Sequence, residues 1–322
     1  MDNNQNGVVA YCIAYNHERY IRKTLEGFVA QRTTFPFRVI VHDDASTDAT
    51  KSIIEEYVRD YPDLFVPIYQ TENQYSKGVS IYANYISPLL NEKYIACCEG
   101  DDYWCSDDKL QKQFDYMENH PECPLCVHNS RIITEDGLLT DEWFNYSLDE
   151  RDYSIDEIIM ARGGGLFHTS SFFVRGTVKR MDPAFIVPGI GDYNYAIFLA
   201  SKGSVHYFPE TMSCYRTGSV NSWVKSQHAD TTRIVNFNKH LIEGLYRIGV
   251  SLNGEHDYAI KSTINQYKLS NFFYTHKKSH IIVEPQFWIP YIKRKTQTLY
   301  REYQRSVFVK KEEMKGKLCQ TS

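Results

Sequence analysis

Short apolar runs alternate with amphipathic stretches through the first hundred residues, and this rhythm restricts the fold more than any other feature. Val8–Ala14, Phe37–His42, Phe65–Gln70 and Tyr94–Cys98 each read as a buried strand. Between them, 20–31 carries Ile21, Leu25, Phe28 and Val29 at helical spacing, and 49–61 carries Ile53, Ile54, Tyr57 and Val58. A third stretch, opened by Gly78, runs through Ala83, Ile86, Leu89 and Leu90 and predicts another helix. Strands joined by helices of this length need crossovers, which makes them largely parallel neighbours in one sheet. The expected class is α/β.

A parallel sheet gathers the loops at its strands' carboxyl ends along one edge. Three of those loops carry polar chemistry here. The first strand ends in Ala14-Tyr15-Asn16-His17-Glu18. The second ends in Asp43-Asp44-Ala45-Ser46-Thr47-Asp48, where Ser46 or Thr47 can cap the next helix. The fourth ends in Glu99-Gly100-Asp101-Asp102-Tyr103-Trp104, with three carboxylates in four residues. Carboxylates so crowded repel unless a cation or hydrogen-bond donors stabilise them. A hard divalent cation binds through one or two such groups and leaves other positions to phosphate oxygens. The bland alternative is an acidic turn between strand and helix. An aromatic face, an acidic pair facing base or ribose donors and a metal-binding pair suit a nucleoside diphosphate. Neither GxGxxG nor a Walker-type GxxxxGK(S/T) occurs, so dinucleotide dehydrogenase and P-loop readings lose their main support.

Downstream, 107–119 reads as an amphipathic helix (Leu110, Phe114, Met117), and 124–128 as a strand that Ile132-Ile133 continues. Residues 143–153 show no clear period. Gly163-Gly164-Gly165 then joins an apolar strand ending at Val174, with His168 near its start. Pro188-Gly189-Ile190-Gly191-Asp192 opens a helix, and by pattern alone Asp192 is its N-cap. Residues 205–208 and 212–216 are short strand-like runs. From Thr231 the spacing turns helical (Ile234, Phe237, Leu241, Leu245, Ile248), which predicts a helical extension over 226–322 behind a sheet-based domain over 1–225.

Charge and cysteine usage narrow the classes. A net charge of −4 argues against nucleic-acid binding. No apolar run reaches membrane-spanning length. The polar start lacks an apolar signal region, so a cytoplasmic location is expected. On that expectation the 8 cysteines are reduced thiols, and Cys123-Pro124-Leu125-Cys126 is half of a zinc or redox motif without its second half. The tail is basic from Lys293 on. It suits a solvated helix packed by its apolar side, or else an anionic membrane surface on the inner face.

Val9-Ala10-Tyr11-Cys12-Ile13-Ala14-Tyr15-Asn16, Val39-Ile40-Val41-His42-Asp43-Asp44-Ala45-Ser46-Thr47-Asp48 and Glu99-Gly100-Asp101-Asp102-Tyr103-Trp104, in that order, resemble the family 2 glycosyltransferases. These are inverting, nucleotide-sugar-dependent enzymes of the GT-A fold, a Rossmann-like, mixed but mainly parallel sheet flanked by helices. The resemblance covers about the first two thirds of the chain. It implies that Tyr15, between Ala14 and Asn16, lies against the uracil of a UDP-sugar. Asp44, with Asp43, would accept from uracil N3–H. Asp101 would sit by the ribose or sugar, and Asp102 would hold Mn2+ or Mg2+ on the diphosphate. Lys77 lies where relatives approach the diphosphate, or is a solvated helix end.

The resemblance also makes Asp192 the general base that an inverting displacement needs to take the acceptor's proton. Tyr215-Arg216, followed by Gly218-Ser219-Val220-Asn221-Ser222-Trp223, resembles the segment that closes near the diphosphate. Arg216 is then a phosphate donor or a structural ion-pair partner. Thr217 stands where relatives often carry His, so no His metal ligand is assigned. His168, Trp104 and Trp223 are acceptor-side candidates, His168 otherwise serving as a structural donor. The implied activity is transfer of a sugar from a UDP-sugar to a glycan or lipid-linked acceptor, in bacterial surface-glycan synthesis. A sugar nucleotidyltransferase would want a basic Gly-rich loop in place of Tyr15-Asn16-His17-Glu18. A non-catalytic nucleotide-sugar or glycan-binding protein would need neither Asp102 nor Asp192.

Overall fold

The computed structural model describes residues 7–162, 165–187, 191–219, 230–276, 281 and 284–320, with backbone alone over 314–320. In chain order the elements are β1 (Val8–Ala14), α1 (Ile21–Val29), β2 (Phe37–Asp43), α2 (Thr50–Asp60), β3 (Phe65–Tyr69), β4 (Tyr94–Cys97), β5 (Tyr103–Trp104), α3 (Lys109–Asn119), β6 (Leu125–Ile133) and β7 (Leu139–Trp143). There follow β8 (Arg151–Tyr153), α4 (Ile155–Ala161), β9 (Phe173–Arg175), α5 (Gly191–Ala200), β10 (Val205–Arg216), α6 (Thr231–Ser251), α7 (Asp257–Thr275) and α8 (Trp288–Gln320). The chain forms two compact units, one of Met1–Phe144, Phe167–Arg180 and Lys202–Val220, the other of Asn145–Leu166, Met181–Ser201 and Asn221–Ser322. Two stretches before residue 225 thus group with the C-terminal helices.

In the first unit the strands run in the order β3-β2-β1-β4-β9-β6-β10-β5, with β7 on the flank of β6. β1 is parallel to β2 and β4, β2 to β3, and β6 to β10. β9 runs antiparallel between β4 and β6, and β5 antiparallel to β10. The sheet is mixed and mainly parallel in its first half, as the alternation predicts. Val8, Ala10, Cys12 and Ala14 pack on one face with Ile21, Leu25, Phe28, Val39, Val41 and Ile54, while Val9 and Ile40 are buried on the other. Burial on both faces is why these strands read as continuous apolar runs. The register sets Ala14 opposite Asp43, so the loops after β1 and β2 start level with each other.

Several boundaries differ from the sequence expectation. The predicted helix after Gly78 is instead a 3₁₀ turn (Tyr75–Lys77), Gly78 at φ +75°, a π turn (Tyr82–Ile86) and a second 3₁₀ turn (Ser87–Leu89). Pro88 lacks the N–H that a longer helix needs. The two runs 205–208 and 212–216 are one strand, whose register against β6 shifts on either side of Thr211. β6 is likewise continuous, carrying Asn129 and Ser130 fully buried. α4 lies just after the stretch without a period. Its signal was local: Ser154 and Glu157 form a reciprocal capping box ahead of Ile158-Ile159.

The second unit contains α4–α8. Tyr193 Oη and Thr263 Oγ1 both donate to the Ile159 carbonyl, at 2.6 and 3.0 Å, tying α5 and α7 to the end of α4. Leu241, Leu245 and Ile248 of α6 and Ile260, Ile264 and Leu269 of α7 are buried at helical spacing. No helix among the described residues is long and apolar enough to cross a membrane. The described cysteines are free thiols, all buried except Cys105, and Cys123 Sγ donates to the Leu125 carbonyl.

Candidate active site

The loops after β1 and β2 are bolted together by short polar side chains. Asp44 N–H donates to the Ala14 carbonyl at 3.0 Å, extending the ladder by one rung. Asn16 and Ala45 both take positive φ (+54° and +60°), a region that Asn tolerates and Ala does not favour. The Asn16 N–H donates to Ser46 Oγ (2.9 Å), and Asn16 Oδ1 accepts from the Thr47 N–H (2.8 Å). Ser46 and Thr47 therefore serve this junction rather than capping α2. Asp48 takes over at α2, accepting from the Thr50 N–H at 2.9 Å.

The acidic pair divides its work. Asp44 Oδ1 and Oδ2 accept from the backbone N–H groups of Gln74 (2.8 Å) and Tyr75 (3.0 Å), so Asp44 shapes the turn that leads to Lys77. Asp43 Oδ2 accepts from the Ser46 N–H at 3.2 Å, while its Oδ1 is buried without a partner. Burial raises the Asp43 carboxyl above its ordinary value, opposed by the Ser46 hydrogen bonds. A buried acceptor left open is costly unless a ligand supplies the donor. Tyr15, one residue past the Ala14–Asp43 pair, is half-buried, and Lys77 is exposed in an ion pair with Glu72.

The acid loop lies over the end of β1. The N–H groups of Cys98 and Gly100 donate to the carbonyls of Tyr11 and Ile13, both at 3.0 Å. A Cβ on Gly100 would stand 2.8 Å from His17 Nδ1 and 2.9 Å from Ala14 Cβ, so only glycine lets the loop approach this closely. Thr24 Oγ1 donates to the Gly100 and Asp102 carbonyls from α1. Glu99, Asp101 and Asp102 each bring a carboxylate oxygen within 4.8 Å of the others. Burial, then Asp101 and Glu99, push the Asp102 carboxyl well above the usual range. Three hard oxygen donors whose mutual repulsion a cation relieves fit a divalent ion such as Mn2+ or Mg2+.

Asp102 is oriented from both sides. Its Oδ1 accepts the Arg216 N–H at 2.8 Å, and its Oδ2 faces His168 Nε2 at 3.4 Å. His168 Nδ1 lies 2.7 Å from Ser170 Oγ, which continues through Ser213 to Ser130 by hydroxyl contacts of 2.8 Å. Burial pushes His168 down to about 4, keeping it neutral at ordinary pH. The Arg216 side chain donates to the carbonyls of Asp101 (2.9 Å) and Glu135 (2.8 Å) and covers the Tyr20 ring. It thus clamps the acid loop to the turn after β6. Asp101 Oδ2 accepts from Ser219 Oγ at 2.8 Å.

The other candidates are placed as follows. Trp104 is buried, its indole N–H donating to the Ser170 carbonyl (2.9 Å) and its ring edge-on to Phe28. Asp192 stands in the first turn of α5 in the second unit, where Oδ1 accepts from the Tyr193 N–H at 2.8 Å. Burial raises its carboxyl. Trp223 lies outside the described residues. The sequence assigns no individual role to Thr24 or the Ser130–Ser213–Ser170 chain, and Ser219 stands out only as part of the 218–223 segment. Thr24 did carry a signal, a polar residue on the same helix face as Ile21, Leu25 and Phe28.

Behind Trp104 lies a buried amine. Lys109 Nζ sits 4.2 Å from the Trp104 ring centroid and donates to Gln113 Oε1 at 2.7 Å. Burial pushes it from 10.5 down to about 7. Between those values the unfolded chain holds a proton that the folded chain has shed, so stability should rise with pH across that window. Below about pH 7 both states are protonated and the cost of burying the ammonium, of the order of a few kcal/mol, is fully present. Lys109→Met is therefore expected to be more stable than wild type at pH 6. Urea midpoints at pH 6, 8 and 10 should show that advantage shrinking as pH rises, and a pH-independent difference would contradict the buried-amine account.

The profile described as glycosyl transferase family 2 matches residues 11–173. An uncharacterized protein of Mycobacterium tuberculosis strain H37Rv is 42% identical over 214 residues, 66% of this chain and 59% of that protein. The Escherichia coli protein named UDP-Glc:alpha-D-GlcNAc-diphosphoundecaprenol beta-1,3-glucosyltransferase WfaP is 32% identical over 127 residues, 39% of this chain and 47% of its own length. The chain thus spans about half to three fifths of these curated relatives. Among solved structures, S. aureus TarS 1-349 in complex with UDP-GlcNAc superposes with a TM-score of 0.60 at 15% identity, over 88% of this chain and 79% of that one.

Proposed function

The chain belongs to glycosyl transferase family 2, and we propose that it moves a sugar from a UDP-sugar to a hydroxyl of a glycan or lipid-linked acceptor by a single inverting displacement. One observation carries this reading above the rest. The open Asp43 oxygen and the Glu99-Asp101-Asp102 cluster lie at the ends of β2 and β4, strands that flank β1. A base acceptor and a cation-binding cluster at the ends of strands on either side of β1 suit the two ends of a nucleoside diphosphate. Relatives support the donor class: TarS was solved with UDP-GlcNAc and WfaP is named for UDP-Glc.

In this reading Tyr15 covers the uracil ring, with Ala14 and Asn16 forming the floor and turn beneath it. Asp43 Oδ1 accepts the N3–H, and Asp44 holds the turn before Lys77. Asp101 orients the ribose or sugar, and Asp102 holds the divalent cation. A cation there would neutralise charge on the departing diphosphate. Asp192 removes the acceptor proton, and burial of its carboxyl strengthens it as a base. Arg216 keeps the acid loop in register through Asp101 and Glu135. The catalytic region is taken to span 1–225, with 226–322 as a helical extension serving surface-glycan synthesis on the cytoplasmic side.

The test is UDP release from a panel of UDP-sugars with Mn2+, with and without hydroxyl acceptors. Consumption of a GDP- or dTDP-sugar but no UDP-sugar would overturn the choice of base. Asp43→Asn is a sharper probe. An amide must turn its NH2 either toward the Ser46 N–H or toward the uracil N3–H, and both are donors. UDP affinity is expected to fall by about tenfold or more, as for loss of a hydrogen bond to a charged group. A calorimetric Kd equal to wild type would move base recognition away from Asp43.

A further inference from the structure

We propose that the outward face of α8 is a docking surface for an anionic lipid bilayer. Hydrogen bonds and ring contacts hold the helix to the rest of the second unit by its inner side. Gln266 Nε2 donates to the Pro290 carbonyl and Arg294 donates back to Gln266, at 2.7 and 3.1 Å. Tyr291 packs on Phe273, and the buried Phe308 packs edge-on to Tyr146. On the opposite side stand Trp288, Ile289, Ile292, Leu299, Tyr300 and Tyr303, all exposed, with Ile289 at 68% and Leu299 at 66%. At 3.6 residues per turn these six fall within about a third of the helix circumference. Large apolar side chains held in one exposed stripe mark a surface that is covered in use.

Charge identifies what covers it. Residues 288–311 contain seven basic side chains and one acidic, a balance of +6, whereas the whole chain carries −4. The rest of the protein is therefore at −10, and positive charge is concentrated on this helix. By position on the helix, Lys293 and Lys295 flank the stripe on its two sides, and Lys293 Nζ donates to the exposed Tyr258 at 2.7 Å. A second copy would set Lys293 and Lys295 against like charges across the seam. The stripe is also wider than the narrow a/d seam of a paired helix. Nucleic acid phosphates would give Ile289, Ile292 and Leu299 nothing to bury against. An apolar face with aromatic residues at the boundary and lysines beside them suits the interface of a bilayer with anionic headgroups. Docking rests on the proposed function only in bringing a lipid-linked acceptor within reach; binding itself needs no turnover.

The experiment is vesicle flotation of the purified full chain on phosphatidylcholine with or without phosphatidylglycerol. Binding to the anionic vesicles that weakens with salt is expected. Ile292→Ser combined with Leu299→Ser should lower partitioning by at least about tenfold. Both side chains are exposed, so melting temperature and the nucleotide response should stay at wild-type values. That keeps failure of docking separable from failure of the donor assignment. No binding to anionic vesicles at low salt, or equal binding by the double variant, would overturn the proposal. So would sedimentation showing a dimer that the same variant dissociates, which would assign the face to a second copy.

Discussion

Asp102→Ala is expected to abolish the Mn2+-dependent part of UDP binding and to lower sugar transfer by about three orders of magnitude. The size follows from losing a cation worth several kcal/mol of charge stabilisation on the leaving diphosphate. Asp102 is tied into the site from both sides: it is buried, it accepts the Arg216 N–H, and it faces His168. Alanine also leaves that buried N–H unpaired, so stability should drop by about 1–3 kcal/mol. Asp102→Asn, which keeps an acceptor for Arg216, separates the two effects. It should fold at near wild-type stability and still fail to bind Mn2+ by paramagnetic resonance. Mn2+ affinity unchanged in Asp102→Asn would remove this residue from the metal-binding role.

Asp192→Asn is expected to behave differently, lowering transfer by about 10²- to 10⁴-fold while leaving the Kd for UDP unchanged. A general base acts on the acceptor, so its loss appears in kcat rather than in donor binding. The pH profile gives a second signature. Burial raises the Asp192 carboxyl above its ordinary value, and only the ionised form can take a proton. Wild-type kcat should therefore fall as pH drops through a value above that, and the residual rate of the Asn variant should lack this limb. A variant at near wild-type rate, or one with the same acid limb, would clear Asp192 of the role.

How much of this was legible in the sequence depended on how local the cause was. Strands buried on both faces announce themselves as unbroken apolar runs, which is why β1 and β4 start where Val8 and Tyr94 suggest. The Glu99-Gly100-Asp101-Asp102 cluster was equally visible, because crowded carboxylates at a strand end are conspicuous in one dimension. The division of labour between Asp43 and Asp44 was not. It depends on where the Gln74–Tyr75 backbone runs, and the residues after it were expected to be helical. Arg216 likewise left two readings open, phosphate donor or structural ion-pair partner, because its contact with the Glu135 carbonyl depends on where the turn after β6 runs. Ser46 looked like a helix cap because its true partner, the Asn16 N–H, lies 30 residues away. Local chemistry could be read; partners chosen by tertiary packing could not.

The central claim is that the edge formed by the loops after β1, β2 and β4 holds a uridine diphosphate through Asp43, with a divalent cation on Asp102. The most direct measurement is a thermal-shift panel of UDP, GDP, CDP, TDP and ADP, each with and without Mn2+. A ligand that binds only the folded chain raises its melting temperature. The account predicts a shift with UDP that requires Mn2+, exceeds those of the other nucleotides, and disappears in Asp102→Asn. A shift that is equal for all five nucleotides, independent of Mn2+, or absent throughout would contradict it.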